Sequence, residues 1–462
     1  MHWMKPEGTQ MNLFGTDGIR GIANADLTCE IAFKLGQAVG LRLTPPRQVC
    51  VGRDTRVSGN MLEAALIAGI TSTGRDVIRL GVITTPGLSF IVRHFNLGGG
   101  VMISASHNPF EYNGLKVFGP DGKKISEDTE LEFSRMILGE TRLALPTGDA
   151  VGRVFEGAGM VDAYVQFLRG FVQAEMSRLR IVVDTANGSA SYLARQVWGA
   201  LGANVKFIHC EPDGVNINRN CGSTSPSCLA AEVVRGGFHA GFAYDGDGDR
   251  CIAVDEQGNV LSGDHIMAIM ASHMAQNQRL RGNTVVGTVM ANFGLEKYLS
   301  SCGIRLIRTP VGDRFVMEEM DRGGYTLGGE QSGHIIFGDI LPAGDGMLTS
   351  LCLAGVFARS GRKLSDLASV IEPVPQVLVN VESACPGQVV QLPRVQQAIK
   401  QVSERLEGVG RVVVRPSGTE PLVRIMVESL DAGLVQECID YLKAVITEEA
   451  QSGASSRKPP TV

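Results

Sequence analysis

The strongest constraint on how this chain folds is a repeated order of local signals. Three stretches share it: VCVGRDTRVSGNMLEAALIAGITSTGRDVIRLG (49–81), RIVVDTANGSASYLARQVWGALGANVKFIH (180–209) and NTVVGTVMANFGLEKYLSSCGIRLIRTP (283–310). A β-rich run is followed by a Gly/Ser/Asn loop, an amphipathic stretch, a glycine and a second β-rich run. Each reads as a βαβ unit, with its glycine ending the helix and a crossover feeding a neighbouring strand. After about Pro373 the order changes. RVVVRPSGTEPLVRIMVES reads as two strands joined by a turn, and LVQECIDYLKAVITEEA as a helix. The expected fold class is α/β: three similar α/β domains with mixed sheets (1–150, 151–257 and 258–372) and a smaller C-terminal α+β domain (373–450) around a central cleft. Linkers are expected near 139–152, 256–263 and 372–376, and a disordered tail over 451–462.

A chain of 462 residues is long enough for several ordinary cores. Its net charge of −5 argues against nucleic acid as the main partner. No stretch reaches the roughly 18 uninterrupted apolar residues of a membrane span, and the opening MHWMKPEGTQ lacks an apolar signal region. A cytoplasmic protein with no membrane partner is expected. Ten cysteines are scattered singly without a CxxC pair, which points to reduced thiols rather than a zinc site or a disulfide framework.

Chemistry concentrates in a few loops. In AYDGDGDRCIAVDEQG, Asp245, Asp247 and Asp249 alternate with glycines after an apolar strand. Three carboxylates so close repel one another unless a cation compensates, and their hard oxygens suit Mg²⁺. An EF-hand would place Glu256 at its twelfth position, but Arg250 stands where that loop needs its turn glycine, and the flanks are strand-like. An acidic turn without a metal is the plainer alternative. In RPSGTEPLVR, Ser417, Gly418 and Thr419 offer hydroxyls and backbone N–H groups between the cationic forks of Arg415 and Arg424, an inventory that suits a phosphate dianion. GGEQSGH presents Glu330, Ser332 and His334 from flexible backbone, suited to sugar hydroxyls but equally to a polar surface loop. FGTDGIRG and VGRDTRVSG add Arg20, Arg53 and Arg56, and isolated arginines near turns are usually surface residues.

MISASHNPF pairs two serines with a histidine. Adjacent side chains diverge, and the GxSxG elbow of a hydrolase nucleophile is absent. What the loop offers is a serine able to carry phosphate, with Lys116 a short way on and the aspartate loop as the source of a neutralising cation.

With these loops in order, the chain resembles the α-D-phosphohexomutase superfamily, and within it the bacterial branch that acts on glucosamine phosphates. The resemblance is carried by FGTDGIRG, ISASHNP, EPDGVNIN, CGSTSP, DGDGDR, TPVGDR, GGEQSGH and RPSGTEPLVRIMVE, from about Phe14 to Glu428. It implies that Ser106 is the phosphorylated residue, with Ser104 a loop-shaping neighbour. By the same resemblance Asp245, Asp247, Asp249 and the phosphate on Ser106 bind Mg²⁺. Glu330 and Ser332 would grip sugar hydroxyls, and Arg415, Ser417, Gly418, Thr419 and Arg424 would hold the non-reacting phosphate. Arg20 would bind substrate, while Lys116, Arg250 and His334 lie near the reacting groups.

The activity so implied interconverts glucosamine 6-phosphate and glucosamine 1-phosphate through a 1,6-bisphosphate, which also serves as activator, on the route to UDP-N-acetylglucosamine and the cell wall. An amino-sugar phosphate is then the partner, and a homodimer is open. The same loops would serve a mutase of glucose or mannose phosphates, and a Mg²⁺-dependent sugar phosphatase or a non-catalytic binding module are the alternatives from other classes. Departures from the resemblance are the extension before Phe14, Ser225 in place of a histidine, and ILPAGDG where threonines usually precede GDG.

Overall fold

The computed structural model describes residues 12–15, 17–43, 48–139, 143–171, 176–417 and 421–455. These fall into two compact units. One spans residues up to Thr288 together with Thr309–Val370, and the other comprises Val289–Arg308 and the chain from Ile371 onward.

The larger unit holds three mixed sheets, so the α/β expectation is met. The first sheet has the order Ile19–Ile22, Tyr112–Phe118, Gly99–Ile103, Val49–Arg53, Val77–Val82, Val154–Glu156. Its first two pairings are antiparallel and the remaining three parallel. The second runs Val260–Leu261, Cys251–Asp255, Ala240–Tyr244, Arg180–Asp184, Asn204–Ile208, with parallel pairing confined to the last three strands. In the third, Thr284–Thr288 pairs in parallel with Leu327–Gly329, which pairs antiparallel with Ile335–Phe337. The repeat read from the sequence is present three times as strand, helix, strand, with helices Gly59–Ser72, Ala190–Gly199 and Phe293–Ser301. Beyond each helix stands a left-handed glycine, Gly74, Gly202 or Gly303, where a Cβ would strain the turn back toward the sheet.

Each fold has its own core. In the first domain it runs from Leu13 to Ile137 and includes Leu35, Val51, Leu66, Val101 and Phe133. Val182, Leu229 and Val254 form the second, and Val286, Val316 and Ile336 the third. Buried polar side chains tie these layers together. The Tyr164 hydroxyl donates to Asp345 Oδ2 at 2.7 Å, while Asp345 Oδ1 caps the helix Gly346–Ser360 by accepting from the Leu348 amide at 3.0 Å. The Trp198 indole donates to the Tyr244 hydroxyl at 3.1 Å, and that oxygen lies 2.7 Å from Ser350 Oγ.

The smaller unit is built on an antiparallel sheet ordered Gln376–Glu382, Leu422–Ser429, Gly410–Pro416, with the helices Pro393–Arg405 and Ala432–Ser455 packing a core of Val395, Val402, Ile425, Val427 and Leu442. The last helix continues to Ser455, past the point where the tail was expected to become disordered: no proline interrupts the chain before Pro459, so the backbone ladder can propagate. Residues 456–462 lie outside the described residues.

The helices Cys29–Arg42 and Gly59–Ser72 meet at glycines. A Cβ at Gly69 would lie 2.1 Å from the Phe33 carbonyl oxygen, and one at Gly36 would lie 2.3 Å from that of Leu66. On an exposed helix Gly→Ala stabilises by about 1 kcal/mol. Here the sign should reverse: Gly69→Ala must push two helix backbones apart, and a loss of about 1–3 kcal/mol is expected in denaturant melts.

Candidate active site

The four loops singled out in the sequence occupy equivalent places. Each joins two antiparallel strands: Ser104–Glu111 links Gly99–Ile103 to Tyr112–Phe118, Asp245–Arg250 links Ala240–Tyr244 to Cys251–Asp255, Glu330–His334 links Leu327–Gly329 to Ile335–Phe337, and Ser417–Pro421 links Gly410–Pro416 to Leu422–Ser429. The first three belong to the larger unit and meet there.

Ser106 and the aspartate loop are in direct contact. Ser106 Oγ donates to Asp245 Oδ2 at 2.6 Å. Asp245, Asp247 and Asp249 are all buried, and each offers an oxygen within 4.8 Å of those of the others. Main-chain contacts from several elements fix the loop: the Thr85 amide donates to the Asp247 carbonyl at 2.9 Å, that of Ser189 to Gly246 at 2.8 Å, and that of Gly346 to Gly248 at 2.9 Å. Two positions demand glycine. A Cβ at Gly246 would lie 2.4 Å from the Ser106 carbonyl oxygen, and one at Gly248, itself at φ +72°, would lie 2.6 Å from Thr84 Cγ2.

The electrostatics of the three carboxylates differ. Burial and the two neighbouring carboxylates push Asp245 well above the usual carboxylate range. Burial would also raise Asp247, but the Lys116 ammonium, 2.7 Å from its Oδ2, overrides this and holds it low. Among the described residues Asp247 Oδ1 and Asp249 Oδ1 are buried and accept no hydrogen bond. Buried, unsatisfied, hard anionic oxygens converging on one point are what a divalent cation such as Mg²⁺ requires, so the residues present fit the metal.

The expected cations surround this centre. Arg20 lies on the strand paired with Tyr112–Phe118, opposite Gly114 and so beside Lys116, and it pairs with Asp17. The Arg250 amide donates to Asp245 Oδ1 at 3.2 Å, and its guanidinium stands 3.9 Å from Asp249. Burial lowers the pKa of His107 to about 4, and the charges of Arg250 and Arg20 contribute, so this ring is a neutral neighbour 3.4 Å from Ser106 Oγ rather than a cation.

In the Glu330–His334 loop, the half-buried Glu330 accepts from the Gly312 amide at 3.1 Å, while Ser332 is exposed, with its hydroxyl 3.5 Å from Glu330. His334 is buried, with Nδ1 3.6 Å from Asp249. Burial lowers its pKa, but Asp249, Asp313 and Glu330 more than offset this and lift it to about 9 when only protein charges act. The Gly344 amide nevertheless points at Nε2 from 3.1 Å, which requires a lone pair there. A neutral ring with its proton on Nδ1, toward Asp249, satisfies both contacts, and it is the form favoured once Asp249 is charge-compensated. A cleft of about 550 Å³ reaches Asp249 and His334, with Lys124, Asp313 and Arg314 among its walls.

Several participants escaped the sequence reading. Asp17, Lys124 and Asp313 complete a chain of alternating charge: Asp247 to Lys116 at 2.7 Å, Lys116 to Asp17 at 2.9 Å, Asp17 to Lys124 at 2.5 Å and Lys124 to Asp313 at 2.7 Å; the His334 ring then stands 4.0 Å from Asp313 and 3.6 Å from Asp249. Thr85 adds a 2.6 Å hydrogen bond to Asp247 Oδ2. Asp17 and Asp313 stand in FGTDGIRG and TPVGDR, so the signal was present, but their spacing gave no hint of a shared neighbour. Arg56, expected at the surface, is instead fully buried, because it forms an ion pair with the equally buried Asp54.

The fourth loop belongs to the smaller unit. Arg415 and Arg424 face each other across neighbouring strands, and burial together with the Arg424 charge lowers the Arg415 pKa. Among the described residues Arg415 has no carboxylate partner, and Ser417 Oγ is buried without a hydrogen bond. Gly418 and Thr419 lie outside the described residues.

A second group with ligating atoms, Asp184, His209 and Cys221, reads as structural. The Asp184 carboxylate is already engaged: it accepts from the Ala186 amide at 2.9 Å and the Gly222 amide at 3.1 Å, and pairs with His209 at 2.9 Å. Burial pushes the Cys221 thiol up to about 12.

Comparison with known proteins agrees along most of the chain. The four domains of the phosphoglucomutase/phosphomannomutase family match in order: α/β/α domain I over residues 11–142, II over 162–258, III over 262–374 and the C-terminal domain over 378–445. A phosphoglucosamine mutase of Desulforudis audaxviator is 49% identical over 94% of this chain and 98% of its own, and one of Shouchella clausii is 48% identical over 94% and 98%. Among solved structures, a phosphoglucomutase/phosphomannomutase family protein of Burkholderia thailandensis superposes with TM-score 0.79 at 23% identity, covering 95% of this chain and 97% of that one. An N-acetylphosphoglucosamine mutase of Aspergillus fumigatus, in complex with GlcNAc-6P and magnesium, superposes with TM-score 0.67 at 16% identity, covering 95% and 96%. Both share the fold. Among the described residues, no helix is long and apolar enough to cross a membrane.

The Asp184–His209 pair carries a pH signature. The hydrogen bond to Asp184 raises the His209 pKa above its unfolded value of about 6.5, outweighing partial burial. A group raised on folding contributes stability that is complete below its unfolded pKa and disappears as pH rises through the folded one. His209→Asn should therefore destabilise more near pH 6 than near pH 9, by under about 1 kcal/mol for this partly exposed histidine, in denaturant melts at the two pH values.

Proposed function

Since the chain belongs to the phosphoglucomutase/phosphomannomutase family, in its phosphoglucosamine mutase branch, we propose that it interconverts glucosamine 6-phosphate and glucosamine 1-phosphate. The observation that carries this reading is the contact of Ser106 Oγ with a buried carboxylate triad, 2.6 Å from Asp245. A serine whose hydroxyl proton is committed to Asp245 rather than to the His107 ring is poorly placed as a hydrolase nucleophile. It is well placed to carry a phosphoryl group against a cation.

In the proposed cycle, phosphorylated Ser106 gives its phosphoryl group to the sugar O1. The Oγ–P bond breaks, an O1–P bond forms, and a 1,6-bisphosphate results. After the sugar reorients, Ser106 Oγ takes back the phosphoryl group from O6 and leaves the 1-phosphate. Such transfers ask the protein for positioning and charge stabilisation more than for covalent chemistry. Asp245, Asp247, Asp249 and the serine phosphate would hold Mg²⁺, which when bound would supply Lewis-acid stabilisation of the phosphoryl oxygens.

Lys116 remains an ammonium, because the attraction of Asp17 and Asp247 exceeds the cost of its burial, and with Arg250 and Arg20 it neutralises phosphoryl charge. His334 orients Asp249. Glu330 and Ser332 bind sugar hydroxyls in either orientation, and Arg415, Arg424, Ser417, Gly418 and Thr419 hold whichever phosphate is not reacting. Glucosamine 1,6-bisphosphate, or its glucose analogue, would reload a dephosphorylated Ser106.

The test is a coupled assay with glucosamine 6-phosphate, run beside glucose 1-phosphate and mannose 1-phosphate. Turnover should be fastest with the amino sugar, and Ser106→Ala should lower it at least about a thousandfold. Intact and peptide masses should place one phosphate on Ser106. Retained turnover in Ser106→Ala would overturn the phosphoserine mechanism, and net phosphate release would instead mark a phosphatase.

The metal makes a separate prediction. Mg²⁺ at about a hundred times its Kd should add about 2.7 kcal/mol to stability. Asp249→Asn, which removes one of three repelling charges, should melt no lower than the parent without metal, yet lose most of the Mg²⁺-induced shift.

A further inference from the structure

Ser106 is held by its backbone rather than by its side chain. Its φ of +51° is left-handed, a conformation a serine keeps only when its surroundings impose it. Its amide donates to Ser104 Oγ at 3.0 Å, and that hydroxyl donates to Asp54 Oδ2 at 2.6 Å. Its carbonyl accepts from two side chains, Arg56 Nη2 at 3.0 Å and Asn218 Nδ2 at 2.8 Å. The same two donors reach the next-but-one carbonyl, Asn108, at 2.8 and 3.0 Å.

Arg56 is wholly committed to this loop. Besides the bonds to Ser106 and Asn108, Nη1 donates to the carbonyls of Pro109 and Tyr112, and Nε donates to Asp54 Oδ2 at 2.8 Å. Every N–H of the guanidinium is thereby used, four of them on main-chain oxygens of one short loop. Asn218 is fixed in turn, since its own amide donates to the Ala186 carbonyl at 2.9 Å.

None of these bonds touches Oγ. The hydrogen bond from Oγ to Asp245 needs the free hydroxyl and is lost whenever the serine carries phosphate, so in each proposed cycle it forms once and is lost once. The bonds to the Ser106 carbonyl and amide involve no atom that phosphorylation changes. We propose that Arg56 and Asn218 are positioning residues for phosphoryl transfer, clamping the Ser106 carbonyl so that Oγ keeps one direction whether free or phosphorylated. The inference rests on Ser106 being the phosphate carrier. It assigns to Arg56 a role that a lysine, with no planar fork, is unable to fill.

The test compares Asn218→Asp, which keeps size and tolerance of a left-handed backbone but replaces the donor with an acceptor, with Arg56→Lys, and runs Ser106→Ala alongside. A displaced serine should lower kcat roughly tenfold to a hundredfold with KM within about threefold. It should also recapture the phosphoryl group less often, so intact mass during turnover should show more unphosphorylated enzyme, corrected by added glucose 1,6-bisphosphate. Asn218→Asp should melt within a few degrees of the parent.

If both variants retain the parent's kcat and phosphorylated fraction while Ser106→Ala is inactive, the clamp is refuted and the phosphoserine reading stands. If kcat falls only in step with melting temperature and the phosphorylated fraction is unchanged, the clamp is structural and the inference is again refuted. Turnover by Ser106→Ala would remove the reading on which it depends.

Discussion

Mutual repulsion among Asp245, Asp247 and Asp249 is the constraint around which the larger unit is organised. Three carboxylates converge within 4.8 Å of one another in a buried loop, where water screens them poorly. One answer is Lys116, which spans from Asp247 to Asp17 and starts a chain of alternating charge that runs through Lys124 to Asp313, with the His334 ring between Asp313 and Asp249. A buried charge left without a partner costs several kcal/mol, so members of this chain depend on one another. The residual demand falls on the two unsatisfied oxygens of Asp247 and Asp249, and it is the demand a cation meets.

Placing such a loop takes contacts that do not depend on charge. Amides of Thr85, Ser189 and Gly346, from three different helical segments, donate to the carbonyls of Asp247, Gly246 and Gly248. Side chains are absent where backbones nearly touch, at Gly246 against Ser106 and at Gly248 against Thr84. The serine loop follows the same logic from the other side, with Arg56 and Asn218 gripping carbonyls instead of the reacting oxygen. The proposed reaction, which alternately charges and discharges one serine, would be served by a frame indifferent to that change.

The architecture was legible because its signals are local. Strand, helix and strand followed from periodicity, and the glycines at 74, 202 and 303 marked the helix ends because only glycine is unstrained there. The acidic loop was legible for the same reason, since alternation with glycine puts its three carboxylates within one turn. Arg56 was misjudged because an arginine beside a turn looks solvated until the acceptors around it are known, and those acceptors are carbonyls of residues 106 to 112, some fifty positions away. Asn218 sits in a motif that was noticed, yet nothing in EPDGVNIN indicates which carbonyl its amide will meet.

The sequence by itself determined the class of fold, the four loops that carry chemistry and the kinds of group each loop offers, because these depend on the order and spacing of neighbouring residues. Only the tertiary structure decided which charges are partners, that His107 is neutral and that Ser106 is held by its backbone. Burial, distance and the competition between desolvation and Coulomb attraction are properties of residues brought together from distant parts of the chain, and no local pattern encodes them.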